Sequence, residues 1–369
     1  MLRCKLQIAV MVVIFATSSW ISALAQSSNS PTDDGIGKPM FAAEALTPIP
    51  RTTNTVPHWT SAFTYSQVSY PFTMVGTNPV SGSVTTTVAV AIIPVKFVFA
   101  DGRSLDGSTT LDNTLASPIF QDFSYATGTT QWGDAIMRAE FWPSISTVSS
   151  GWHVLLGNPT IYPTQVISVP PGEAVEIVGS HSHKFFALVS YHWWFDRVAE
   201  VMNKLQIAPT TLPILHTYNI FGYIHDPNNC CVIGFHLITT LSRNGNGNQP
   251  VPTGIADSWT DHGIFSNFED VAVLSHEVSE WLNDPLLNNF VPPWEFPDNS
   301  GCQGNLETGD PIEVLPKAAL PITLSGFTYH MQNEALLQWF SREVPSSAID
   351  GAYSFPDTTV LTSPSQPCH

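Results

Sequence analysis

At 369 residues the chain suits one large domain or two modest ones, and 43% hydrophobic with 11% aromatic residues is ample for a packed core. Only 12% of residues are charged and the formal net charge is -17. That balance argues against partners rich in phosphate, whether nucleic acid or anionic lipid, and leaves cations, peptides and neutral glycans open.

The first 25 residues read as a cleavable signal peptide. Arg3 and Lys5 precede an apolar run from Leu6 to Phe15, and Ala23-Leu24-Ala25 forms an A-x-A cleavage site. The expectation is a secreted or periplasmic protein with no membrane association after cleavage. Removal of Cys4 would leave Cys230, Cys231, Cys302 and Cys368 in an oxidising compartment. Cys302 with Cys368 is a plausible staple of the tail onto the site region. A bridge between the adjacent Cys230 and Cys231 would be strained, so these two are expected to pair elsewhere or stay reduced.

Residues 26–57, rich in Ser, Thr, Pro and Asn, read as a linker or a strapped-down extended arm. The β-branched run from Thr85 to Gly102 predicts a strand, with Pro94 marking a bulge or an edge. A helix is expected from Gly133 to Phe141, short strands within 152–169, and mostly helix from Glu173 to Gln206. Two strands, Pro213 to Ile224 and Cys231 to Thr240, flank an Asp226-Pro227-Asn228-Asn229 turn, and Asn244 to Pro252 reads as a loop. This order favours an α+β fold over a regular βαβ array. A first subdomain is expected over 58–285, and a smaller C-terminal one over 286–369 that completes the site.

The most informative stretch is Val271 to Pro285, VAVLSHEVSEWLNDP. Ser266 and Glu269 fit a capping box ahead of a helix, and Pro285 a stop. Val271, Leu274, Val278, Trp281 and Leu282 would share one face, leaving His276 and Glu280 one turn apart on the other, towards a cleft. An imidazole and a carboxylate at i, i+4 can hold one zinc ion, and the helix's negative C-terminal end favours a cation there. Glu277, beside the first ligand, is placed to act as general base. A third ligand must come from downstream, where Glu307 and Asp310 stand in a turn with Gly309; Asp310 is the favoured one. His330, with Tyr329, is a candidate transition-state donor or substitute ligand. Other singletons read more plainly: Glu140, Asp196 and Glu200 as solvated helix faces, His192 as a core or cleft-lining residue, His181 and His183 as loop residues.

The helix resembles the active-site helix of the zincin metallopeptidases, with Glu280 where they carry a second His. SHEVSEWLNDP followed by CQGNLETGDP also resembles a group of uncharacterised exported bacterial proteins and the plant EXORDIUM-like phosphate-induced proteins. The resemblance implies a zincin-like scaffold, a twisted mixed sheet packed on the active-site helix, and a zinc site. With the residues above it points to an exported metal-dependent hydrolase. The expected reaction is that of a peptidase using metal-activated water, on a peptide or protein substrate or on cell-wall or glycan material. The alternative is a non-catalytic exported cell-surface or glycan-binding protein that keeps the scaffold.

Overall fold

The computed structural model describes Asp34, Ile36 and residues 40–45, 55–242 and 248–368, without the side chains of 41–45 and 239–252. The expected signal peptide and most of the expected arm lie outside the described residues. No helix among them is long and apolar enough to cross a membrane.

Among the described residues the centre is a mixed sheet of twelve strands. Nine of them frame the site: β1 (Met40–Ala45), β2 (Thr85–Val98), β3 (Gln165–Ser168), β4 (Ala174–Val178), β5 (Phe185–Ser190), β6 (Thr211–Tyr218), β7 (Ile220–Tyr223), β8 (Cys230–Ser242) and β9 (Asn248–Trp259). They run in the order β3-β2-β6-β9-β8-β7-β5-β4, and β1 lies parallel along β8. Three helices pack on the sheet or on each other: α1 (Trp132–Glu140), α2 (Tyr191–Leu205) and α3 (Ala272–Asn283).

The β2 sequence explains its central place. Val88, Val90 and Ile92 enter the core shared with α1 and α3, while Ala91, Ile93, Val95 and Phe97 enter the core shared with α2. A strand buried on both faces needs such an unbroken apolar run. Pro94 corrects the expectation of an edge or bulge: it pairs with His216 of β6 inside the sheet. On its other side it falls between the pairing of Ile92 with Ile161 and that of Val95 with Gln165, where no ladder requires its missing N–H.

The expected helix over Glu173 to Gln206 is also corrected. Residues up to Ser190 form the β4–β5 antiparallel pair, and α2 begins only at Tyr191. Phe185 to Val189 is rich in β-formers, and the parallel pairing of β5 with β7 buries it. Within α2, Tyr191, Trp194, Phe195, Val198, Val201 and Met202 form one buried stripe at helical spacing, leaving His192, expected in the core or lining a cleft, exposed. The expected loop before Pro252 is likewise partly strand, since β9 starts at Asn248.

Cys302 and Cys368 are joined, with Cα atoms 5.9 Å apart, as expected. Cys230 and Cys231 are joined to each other, against expectation; the Cys302–Cys368 bond leaves them no other described cysteine. Replacing both Cys302 and Cys368 with Ser frees the tail from the strand Cys302–Asn305 and is expected to cost about 2–4 kcal/mol in denaturant unfolding. Trp294, Trp339 and Phe340 pack together in the core with ring centroids 4.9–5.8 Å apart.

Candidate metal centre

The helix α3 starts later than the capping box would have it. Asn267 and Asp270 adopt positive φ, and the helix begins at Ala272. The carboxylate of Asp270 accepts the Val271 amide and also the His330 amide, while Glu269 sits against His262. Nor does α3 divide into an apolar face and an open face. All twelve of its residues are buried, so His276 and Glu280 look into the interior rather than a cleft. Three glycines let neighbours close in this far. A Cβ on Gly133 of α1 would come 2.5 Å from Leu282, one on Gly234 of β8 2.6 Å from Val273, and one on Gly309 2.2 Å from His276 Nδ1.

Around the helix gather His236, His276, Glu277, Glu280, Glu307, Asp310 and Glu334, all buried. His276 Nδ1 lies 3.0 Å from Gln332 Oε1, and Gln332 Nε2 donates to the Gly309 carbonyl at 2.8 Å. The Gln332 amide is thereby oriented, so Nδ1 carries the proton and Nε2 presents a lone pair. That lone pair faces Glu280 Oε1 at 3.0 Å and Asp310 Oδ1 at 3.6 Å. Donor atoms of a tetrahedral site with bonds of about 2.1 Å lie roughly 3.4 Å apart, so the trio has suitable spacing for one small cation. The Gly309 amide donates to Glu280 Oε1 at 3.1 Å and Gln303 Nε2 to Asp310 Oδ2, fixing both carboxylates.

A second group meets at Glu280 from the sheet side. On β8, Phe235 and Leu237 point into the α2 core, so Gly234 and His236 face α3. His236 Nδ1 lies 3.0 Å from Glu277 Oε2 and 3.5 Å from Glu280 Oε2, and its Nε2 lies 3.6 Å from Glu307 Oε2. Ligand atoms of His236, Glu277 and Glu280 fall within 4.8 Å of one another, as do those of His276, Glu280 and Asp310.

The electrostatics suit cation binding. Burial lowers His236 to about 3, helped by the nearby His276, and lowers His276 to about 4. Both imidazoles are neutral at ordinary pH, so their contacts with carboxylates are not ion pairs. Burial also raises Glu277, Glu280, Glu307, Glu334 and Asp310, with neighbouring carboxylates adding to the shift in all but Asp310. Like charges packed out of water destabilise one another, and a divalent cation relieves this.

The sequence-expected His276, Glu277, Glu280, Glu307 and Asp310 thus converge, whereas His330 lies outside both groups. Its ring is held 2.7 Å from Asp270 Oδ2 and its strand, Phe327–Gln332, sends Gln332 to the site instead. His236 and Gln332 were not singled out by the sequence. The available signal for His236 was a polar side chain sharing a strand face with Gly234, two residues apart in an otherwise apolar run. His181 and His183 lie in a turn and belong to neither group.

Exposure rises from 0% at the His276 side chain to 8% at Asp310, and Gln303 beyond it is half-buried, so the centre opens, narrowly, on that side. A cavity of about 670 Å³ elsewhere, lined by residues such as Phe120 and Leu324, shares none of these side chains. Gly309→Ala is expected to drive the turn off the His276 ring and weaken cation binding by about 10–100-fold, as loss of an outer hydrogen-bond partner does, measured by calorimetric titration.

The arrangement is a sheet-plus-helix scaffold with His/Glu clusters able to hold a divalent cation, consistent in general with a zincin-like scaffold. Compared with family models, with curated proteins and with solved structures, the chain matches none.

Proposed function

We propose that the protein is an exported metal-dependent hydrolase acting on peptide bonds, with zinc as the cation. The observation that carries this reading is the buried trio of His276 Nε2, Glu280 and Asp310, oriented by Gln332, Gly309 and Gln303. When bound, the cation would polarise a carbonyl and make water more acidic. Glu277 adjoins His276 in sequence, and its Oε1 has no hydrogen-bond partner, so it can accept a proton from attacking water and return it to the leaving group. Its other oxygen is held by His236 Nδ1, which keeps the carboxylate in place. Peptide, protein or peptide-bearing cell-wall material is the proposed substrate class.

Hydrolysis of a casein-type substrate, measured with and without chelator, tests the proposal. Glu277→Gln is expected to retain bound cation and lose about 10²–10⁴-fold in kcat. Activity that survives both chelation and that substitution would sink the reading. The burial of the whole cluster supports a second reading, a non-catalytic exported cell-surface or glycan-binding protein with a structural cation. In that case chelation lowers the melting temperature and no hydrolysis is found before or after it.

A further inference from the structure

We infer that the cluster holds two divalent cations, the second between His236 and Glu307, with the Glu280 carboxylate bridging it to the first; this rests on the metal-centre reading above. The starting point is an unsatisfied pair of atoms. The His236 side chain is 2% exposed, and its Nε2 has no hydrogen-bond partner. It is aimed at Glu307 Oε2, 3.6 Å away, and no nitrogen or hydroxyl donor reaches either oxygen of Glu307, which meets the Glu280 carboxyl instead. With Glu277 taking the Nδ1 proton, Nε2 turns a lone pair to the Glu307 carboxyl in a dry interior, at a separation longer than a normal hydrogen bond. Such a pair is costly unless something positive lies between. A separation of 3.6 Å matches two ligands of one tetrahedral ion with bonds of about 2.1 Å.

The Glu277–His236 contact then takes on a second meaning. Metal-bound histidines commonly donate their other ring N–H to a carboxylate, which fixes tautomer and ring orientation. Glu277 does this for His236 just as Gln332 does for His276. The two histidines are thus prepared in the same way, from opposite sides of Glu280.

Glu280 supplies the link. Its Oε1 is 3.0 Å from His276 Nε2, whereas its Oε2 lies beside the His236 ring, 3.5 Å from Nδ1, and its carboxyl meets that of Glu307. One carboxylate that meets a ligand of each half-site is placed to bridge paired hydrolytic ions, which sit about 3.5–4 Å apart.

The test is stoichiometry, read independently of activity. The purified chain is stripped with chelator, titrated with Zn²⁺ and, separately, Co²⁺, freed of excess ion and assayed by elemental analysis. Two ions per chain are expected for the wild type, one for Glu307→Gln, one for Asp310→Asn and none for Glu280→Gln. Spin coupling between the Co²⁺ ions in the electron paramagnetic spectrum of the wild type is expected as well, and this readout does not depend on any variant folding. A wild type that binds one uncoupled ion, lost in Asp310→Asn and kept in Glu307→Gln, overturns the second site and leaves the single-cation reading standing. A wild type that binds none overturns both.

Discussion

Glu280→Gln should abolish tight cation binding, with a loss of affinity beyond the roughly 10–100-fold typical of outer-shell substitutions, and with it any metal-dependent hydrolysis. The substitution keeps volume and can keep the hydrogen bond from the Gly309 amide, because an amide oxygen can accept where Oε1 does now. It removes one of several carboxylates crowded out of water. The cation-free variant should therefore be at least as stable as the cation-free wild type, and only the wild type should be stabilised by added Zn²⁺. Excess ligand at about 1,000 times its dissociation constant adds about 4 kcal/mol for one site. Thermal unfolding of the two proteins, each with and without ion, separates these effects. A cation-free Glu280→Gln that unfolds many degrees below the cation-free wild type would mean that Glu280 serves the fold more than the ion.

The second large effect concerns Glu140, at the end of α1. It was expected on a solvated face, yet it is 1% exposed. Its Oε1 accepts the Leu337 amide at 3.1 Å, its backbone carbonyl accepts Gln338 Nε2 at 2.8 Å, and its Oε2 has no hydrogen-bond partner. Burial pushes its carboxyl up from 4.5 to about 8, against the lowering effect of the Leu337 amide. Between those values the folded chain keeps a proton that the unfolded chain has released. Stability from this group is therefore full below pH 4.5, falls as pH rises through the window, and is lost above about 8. The slope is about 1.4 kcal/mol per pH unit. Glu140→Gln, a neutral shape-match, should flatten this component, so the stability difference between variant and wild type should grow by several kcal/mol from pH 5 to pH 8. Urea unfolding at the two pH values measures it, and a constant difference would show that Glu140 is ionised in the folded protein.

Much of the site was legible because it is local. His276, Glu277 and Glu280 come from one helix whose period is fixed, and Glu307 and Asp310 from one tight turn. The β2 strand and the Cys302–Cys368 staple were equally readable. What escaped is what depends on distant pairing. His236 reaches Glu277 across 41 residues, and Gln332 reaches His276 across 56; only sheet register brings either one there. The capping box failed for a related reason. Asp270 is drawn into bonds with Val271 and the His330 backbone, so the chain turns sharply before α3 and the local signal at Ser266 is overridden. Glu140 was misplaced because a lone carboxylate on an amphipathic helix gives no hint that the C-terminal turn Leu337–Phe340 will cover it.

The three glycines around α3 also amount to a fingerprint of a different kind from the HExxE letters. Gly133, Gly234 and Gly309 come from a helix, a strand and a turn far apart in sequence, and each gives way to one point on the same helix: Leu282, Val273 and His276. Any chain that seats its ligands in this manner needs a missing side chain at three such points, whatever its motif reads. A distant relative could therefore be recognised by where its interior has no room for a methyl group, even if the histidines and carboxylates had been exchanged for others.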